Sequence, residues 1–158
     1  MASQPLTASS GQDANAAVSS ALRTLETGSQ GIAALATALQ GALGTSFACS
    51  VDLIRHAKGR VIVTGLGKSG HVARKFAATL ASTGTPAFFV HPAEASHGDL
   101  GMITEDDAII ALSWSGETAE LKGLIDYSSR FNIPLIAVTA EAGSTLGQAA
   151  DVALVLPQ

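Results

Sequence analysis

The sequence predicts an α/β fold, a parallel sheet covered by helices on both faces. Three observations carry this. Short apolar runs rich in β-branched residues recur from residue 60 onward and read as strands buried on both faces. Segments with apolar residues three or four apart separate them, which is helical spacing. Turn residues mark almost every junction, and strands alternating with helices in this way form parallel sheets with right-handed crossovers.

Residues 1–13 are polar, rich in Ser, Ala and Gln, and read as a disordered N-terminus. From Ala14 to Leu39, apolar residues at Val18, Leu22, Leu25, Ile32, Leu35 and Leu39 predict a helix. Gly28 and Gly31 each weaken it by roughly 1 kcal/mol against alanine, which places a kink near Gly28. A second helix is expected over 43–56, with Phe47, Val51 and Ile54 on its apolar face and Cys49 as a small core residue. His56 at its end suits the negative end of the helix dipole. Residues 14–57 thus form a helical part ahead of a sheet core over 60–158.

Within that core the first strand is Arg60 to Thr64, followed by a glycine turn, Gly65 to Gly70, and a helix over 71–82 with Val72, Phe76 and Leu80 at a spacing of four. Gly84, Thr85 and Pro86 break that helix before a strand at 87–90. Residues 91–101 are polar and irregular, with one helical turn near Glu94. A third strand spans 108–112, then comes the hydroxyl-rich stretch Ser113 to Glu120 and a helix to Phe131. A fourth strand covers 133–138. A short helix over 144–149, capped by Gly143 or Ser144, leads to a fifth strand at 152–155.

The totals bound the function. A chain of 158 residues suits one domain, with 47% apolar and 14% charged residues. Net charge is −4 with no long basic run, which argues against nucleic acid. One cysteine rules out an internal disulfide and a cysteine-rich metal site. The N-terminus lacks a signal-peptide pattern, and no run approaches the ~20 apolar residues of a membrane span, so a cytoplasmic protein is expected.

Chemistry concentrates in three turns, all expected outside the carboxyl ends of the strands, where such sheets bind ligands. Ser113, Ser115 and Thr118 surround Gly116 between a strand and a helix. Their hydroxyls, with backbone N–H groups at a helix N-terminus, would cradle an anion, while Glu117 and Glu120 would fall in the first helical turn. A plain cap at Ser115 is the competing reading. Trp114 is either packing or a wall of the site. The Gly65–Gly70 turn has dinucleotide-fingerprint spacing, but the ribose acid expected near the end of the next strand is missing. It is no P-loop, because Ile62 stands where a glycine is needed. Lys68 inside the turn, with Gly67 and Ser69 beside it, suits a small anionic ligand; a tight turn with a solvated lysine is the alternative. His91 and His97, with Glu94 and Asp99, could hold a metal or move protons near neutral pH. His71 reads as site or surface. Glu120 could act as a general base or be an acid favoured by the helix dipole alone.

On these residues the chain resembles the sugar isomerase (SIS) domains, and more closely the arabinose-5-phosphate isomerases. The matching stretches run from Thr64 to His71, Ala81 to Pro86, Phe89 to Met102, Ser113 to Glu120 and Ala149 to Val152. The resemblance covers about residues 15–158. It implies a flavodoxin-like three-layer sandwich with a five-stranded parallel sheet and N-terminal helices that serve assembly. It implies interconversion of D-ribulose 5-phosphate and D-arabinose 5-phosphate, a step that feeds Kdo synthesis for lipopolysaccharide. Lys68 and Glu120 become the catalytic positions, acting through an enediol, with Lys68 steadying negative charge and Glu120 a candidate base. Gly84, Thr85 and His97 become substrate contacts and His91 a zinc position, with no cofactor required for turnover. Partners implied are a phosphorylated pentose and further copies of the chain in a homodimer or homotetramer, with sites near subunit contacts. Family members continue into a segment with a second Glu, a helix bearing a histidine and often a pair of CBS domains. The sequence ends at Gln158, ahead of these, so phosphosugar binding is the firmer expectation. A regulatory binding module without turnover is the alternative.

Overall fold

The computed structural model describes residues 11–158, with side chains from residue 14. Residues 1–10 of the expected disordered N-terminus lie outside the described residues. The chain divides at Thr37/Ala38 into two units.

The first unit is essentially one helix, α1 (Gly11–Leu39). It already includes residues 11–13 and runs through Gly28 and Gly31 without the expected break. A glycine costs helix stability but removes no hydrogen bond, so the ladder continues. Val18, Leu22, Leu25 and Ile32, the residues whose spacing predicted the helix, are exposed.

The second unit holds α2 (Ala42–His56), β1 (Val61–Gly65), α3 (Gly67–Ser82), β2 (Ala87–Val90), α4 (Pro92–Ser96), β3 (Ala108–Leu112), α5 (Lys122–Phe131), β4 (Leu135–Thr139), α6 (Thr145–Ala149) and β5 (Val152–Val155). Two 3-10 turns, Asp99–Met102 and Ala119–Leu121, join them. All strand pairs are parallel, in the order β2-β1-β3-β4-β5. This five-stranded sheet with helices on both faces is the fold the sequence predicted.

Side-chain alternation along the strands explains the two cores. Ile62, Ile109, Leu135 and Ala137 point to one face and pack with Leu121, Leu124, Ile125 and Leu146. Val61, Val63, Ile110 and Ile136 point to the other, under Ala73 and Ala77 of α3 and Leu53 and Ile54 of α2. Each fully buried Ile, Leu or Val contributes about 1.5–3 kcal/mol relative to exposure. On α3 the buried residues are small, Gly70, Ala73 and Ala77. A Cβ on Gly70 would lie 2.6 Å from the Gly65 carbonyl oxygen, so glycine there lets the helix settle onto β1.

The larger apolar residues of α3 point the other way, with Val72 58% and Phe76 37% exposed. Likewise on α2, Phe47, Val51 and Cys49 are exposed, while Leu43 and Ser50 are buried. Cys49 is therefore not the core residue expected, and of the Phe47, Val51 and Ile54 face only Ile54 reaches the core. The helical spacing is present in both, but α3 presses small side chains to the sheet, where close approach is needed, while α2 packs Leu53 and Ile54 there.

At the amino edge of the sheet, Asp107 is buried and accepts hydrogen bonds from the N–H of Arg60 at 2.7 Å and of Thr104 at 2.8 Å. Arg60 Nε also approaches it at 3.5 Å. Burial alone would raise its pKa. The hydrogen bonds from Thr104 and Arg60 outweigh that, and the carboxyl lies below its ordinary value. No single helix among the described residues is long and apolar enough to cross a membrane.

Candidate functional site

Strand order fixes where a site can form. From β1 the chain moves outward to β2, then returns to place β3 on the other side of β1. The turns leaving β1 and β3 therefore diverge and leave a crevice at their carboxyl ends, the usual ligand position in open α/β sheets. Val61 pairs with Ala108 and Gly65 with Leu112, so both turns start at one level.

The turn after β1 is shorter than expected. α3 begins at Gly67, four residues early, so Lys68 and Ser69 lie in the first turn of a 16-residue helix. Gly67 opens it with φ +57°, a conformation that favours glycine. Lys68 is exposed and Ser69 half-buried.

The turn after β3 departs from its expected form. No α-helix starts at Ser115: the 3-10 turn Ala119–Leu121 intervenes and α5 begins at Lys122. Glu117 precedes any helix, and Glu120 lies in the 3-10 turn rather than at an α-helix N-terminus. The hydroxyls instead shape the loop. Ser113 is buried, and its Oγ accepts from the N–H of Gly116 at 3.1 Å and lies 2.8 Å from Thr118 Oγ1. Ser115 Oγ accepts from the N–H of Glu117 at 3.3 Å, so it makes a local turn and no helix cap. The Ser113–Thr118 pair uses one of its two hydroxyl hydrogens internally, which leaves the other free to turn toward a ligand oxygen. Gly116 has φ +67°, and a Cβ there would run into Ser144.

These two turns meet at a cleft of about 400 Å³, lined by Lys68, Ser69, Val72, Leu112, Ser113, Trp114, Val138 and Leu156. The structure thus brings together Lys68, Ser69 and Ser113 from separate predicted turns. Trp114, 59% exposed, forms a wall. A primary amine, two hydroxyls and a helix N-terminus facing an apolar wall form a mouth suited to a small anion with a carbon skeleton.

Other predicted residues lie apart from this cleft. Glu120 is exposed on the same edge and does not line it. His97 caps α4 at its C-terminal end, exposed, also outside the lining. His91 caps the other end: its Nδ1 accepts from the N–H of Ala93 at 3.3 Å. It lines a separate cleft of about 160 Å³ with Gly67, His71, Arg74 and Phe89. Among the described residues no three His, Cys, Asp or Glu side chains gather as a metal site. Gly84 and Thr85 lie before β2, at the amino edge of the sheet, because Ala87 pairs with the first residue of β1. Within one protomer they are at the opposite end of the strands from Lys68. A single copy therefore does not place them beside the cleft.

Two features had no local signal in the sequence. Leu156 closes the cleft from beyond β5. Glu117, 28 positions away from Thr145, takes its N–H on Oε1 and its hydroxyl on Oε2, both at 2.7 Å. The hydrogen bonds from the Thr145 amide and then its hydroxyl lower the pKa of Glu117. Thr64, one residue before the β1 turn, is fully buried, and among the described residues its hydroxyl has no hydrogen-bond partner.

The SIS domain family matches residues 53–158. Arabinose 5-phosphate isomerase KdsD of Pseudomonas aeruginosa is 57% identical over 112 residues, covering 71% of this chain and 34% of that protein. KdsD of Escherichia coli K12 is 51% identical over the same coverage. The chain thus spans about a third of the length of the curated relatives it matches. Among solved structures, E. coli CFT073 c3406 in complex with A5P superposes with a TM-score of 0.79 at 36% identity, covering 94% of this chain and 76% of that one. The sugar isomerase domain of an RpiR transcription factor from Sphaerobacter thermophilus, 22% identical at a TM-score of 0.71, shares the fold.

Proposed function

The chain belongs to the SIS domain family, and on that footing we propose that it binds a pentose 5-phosphate in the cleft between the β1 and β3 turns. The observation that carries the reading is the convergence of Lys68 and Ser69 with Ser113 and Trp114 at the point where strand order reverses. The phosphate sits at the Ser113–Thr118 turn, receiving hydroxyl and N–H donors. Lys68 stands beside it, where its charge favours a developing enediolate as well as the bound anion. Similarity to the KdsD isomerases supports D-ribulose 5-phosphate and D-arabinose 5-phosphate as the pair. In that reaction a proton leaves C1 of the ketose and one is returned at C2, with the hydroxyl proton moving from O1 to O2. Glu120 is the candidate base for the carbon proton. No metal is required.

A second reading is phosphosugar binding without turnover, as in a regulatory module. It is favoured by the position of Glu120, which does not line the cleft that holds Lys68. Titration calorimetry with arabinose 5-phosphate, run beside an assay for ribulose 5-phosphate, separates the readings. Heat of binding with conversion supports the isomerase. Binding without conversion supports the module, and absence of both removes the phosphosugar reading.

The protein also assembles with copies of itself. Exposed Val72 and Phe76 on α3 support this, as does the placement of Gly84 and Thr85 at the far sheet edge. Light scattering on the purified chain tests it; a monomer at all concentrations overturns it.

A further inference from the structure

We propose that Glu117 is a positioning residue that holds the Ser113–Thr118 turn in its ligand-receiving shape by clamping it to Thr145 at the start of α6. The inference rests on the phosphosugar reading of the cleft.

A carboxylate inside an anion-binding turn is a difficulty, because like charges repel in a partly desolvated mouth. Glu117 resolves it by direction. Both its oxygens bond to Thr145, one to the amide and one to the hydroxyl. Its charge is thereby engaged by donors on another element.

The clamp also closes a lattice. Leu146 donates its N–H to the Gly116 carbonyl at 3.0 Å, and Ala140 donates to the Trp114 carbonyl at 2.9 Å. Thr139 Oγ1 donates to the same Trp114 carbonyl at 3.1 Å. Ser144 caps α6, accepting from the N–H of Gly147 at 3.1 Å, and a Cβ on Gly116 would strike it. The turn after β3 is therefore tied at Trp114, Gly116 and Glu117 to the segment after β4. The first two ties use backbone carbonyls and no side chain of the turn. The Glu117 tie alone depends on a particular side chain of the turn. It also borders Ser115, whose hydroxyl accepts from the Glu117 N–H.

Because Glu117 is exposed, its removal leaves both cores intact. The geometry of the turn is what should change. Ser115 and Thr118 flank Glu117, so loosening it disperses the donors the phosphate needs and lowers affinity more than stability.

The test uses the full chain, calorimetry with arabinose 5-phosphate, thermal melts, and amide exchange over residues 113–118 without ligand. Glu117→Ala is expected to weaken binding by about tenfold or more and to speed exchange in the turn, with little change in melting temperature. Glu117→Gln, which keeps an acceptor for the Thr145 amide, is expected to recover most of the affinity. Thr145→Val should weaken binding too, and adding it to Glu117→Ala should cost little more, since both remove one contact. Parent-like affinity in Glu117→Ala overturns the proposal. So does a loss that Glu117→Gln shares in full, which would assign Glu117 a direct charged role. Failure of the unaltered chain to bind arabinose 5-phosphate overturns the phosphosugar reading and this inference with it.

Discussion

The hydroxyls of Ser113 and Thr118 lie 2.8 Å apart across the turn that leaves β3, and Ser113 Oγ also accepts from the N–H of Gly116. Ser113 is 3% exposed, so its hydroxyl is part of the fold as well as of the cleft. Ser113→Ala leaves the Gly116 N–H without this side-chain partner and should cost about 1–2 kcal/mol of stability, along with phosphosugar affinity. Chemical denaturation and calorimetry on the same variant check both. A variant as stable as the parent would show that the pair does not hold the turn.

Ser115 makes the contrasting case. It is exposed, and its long contact to the Glu117 N–H is easily replaced by water. Ser115→Ala should change stability by less than about 0.5 kcal/mol, as for exposed positions generally, while lowering phosphosugar affinity severalfold. Equal affinity would reduce Ser115 to a turn former.

These two serines show how far the sequence could be read. Five strands, their parallel direction and the two glycine- and hydroxyl-bearing turns at their carboxyl ends were visible because buried parallel strands are continuous apolar runs and turns carry glycine and hydroxyls. Which hydroxyl is buried was not visible, since Ser113 and Ser115 differ only in facing inward or outward. Val72 and Phe76 have helical spacing, yet the sheet takes Ala73 and Ala77, because packing selects shape where periodicity reports only hydrophobicity. The Glu117–Thr145 clamp joins residues 28 positions apart and leaves no local pattern at all.

Asp107 links the start of β3 to the segment before β1, and its pKa is lowered in the folded chain. A carboxylate with a depressed folded pKa stabilises the fold above its unfolded pKa, near 3.8, and loses that contribution as pH falls through the folded value. Arg60 is 43% exposed, so its charge is screened and the backbone N–H bonds matter more. Asp107→Asn should therefore lower stability by about 1–3 kcal/mol at neutral pH and flatten the acid limb below pH 4. Urea midpoints across pH 2–7 for both proteins decide the matter. Parallel curves would mean that Asp107 titrates alike in the folded and unfolded states.

Thr64 presents the opposite balance. Its hydroxyl is buried at the end of β1 with no protein partner among the described residues, next to the cleft turn. An unsatisfied buried hydroxyl costs about 1–3 kcal/mol, and Val has nearly the same shape. Thr64→Val should leave the fold unchanged or raise stability by about 1 kcal/mol. Destabilisation would reveal a partner for this hydroxyl in the folded protein, such as a buried water.

Thr85 and Lys68 bring the argument to assembly. β1 separates them by its length, five residues at about 3.3 Å each, or roughly 16 Å. If Thr85 touches a sugar held by Lys68, the two must come from different copies. Lys68→Ala and Thr85→Val should then each weaken phosphosugar binding while leaving thermal stability near that of the parent, because neither side chain is buried. Mixing the two variants under exchange should restore tight binding at about a quarter of the sites. Half of the dimers are mixed, and each carries one site with both native residues. Calorimetric stoichiometry reads this fraction directly. No recovered sites in the mixture, with both single variants impaired, would place Lys68 and Thr85 outside any shared site.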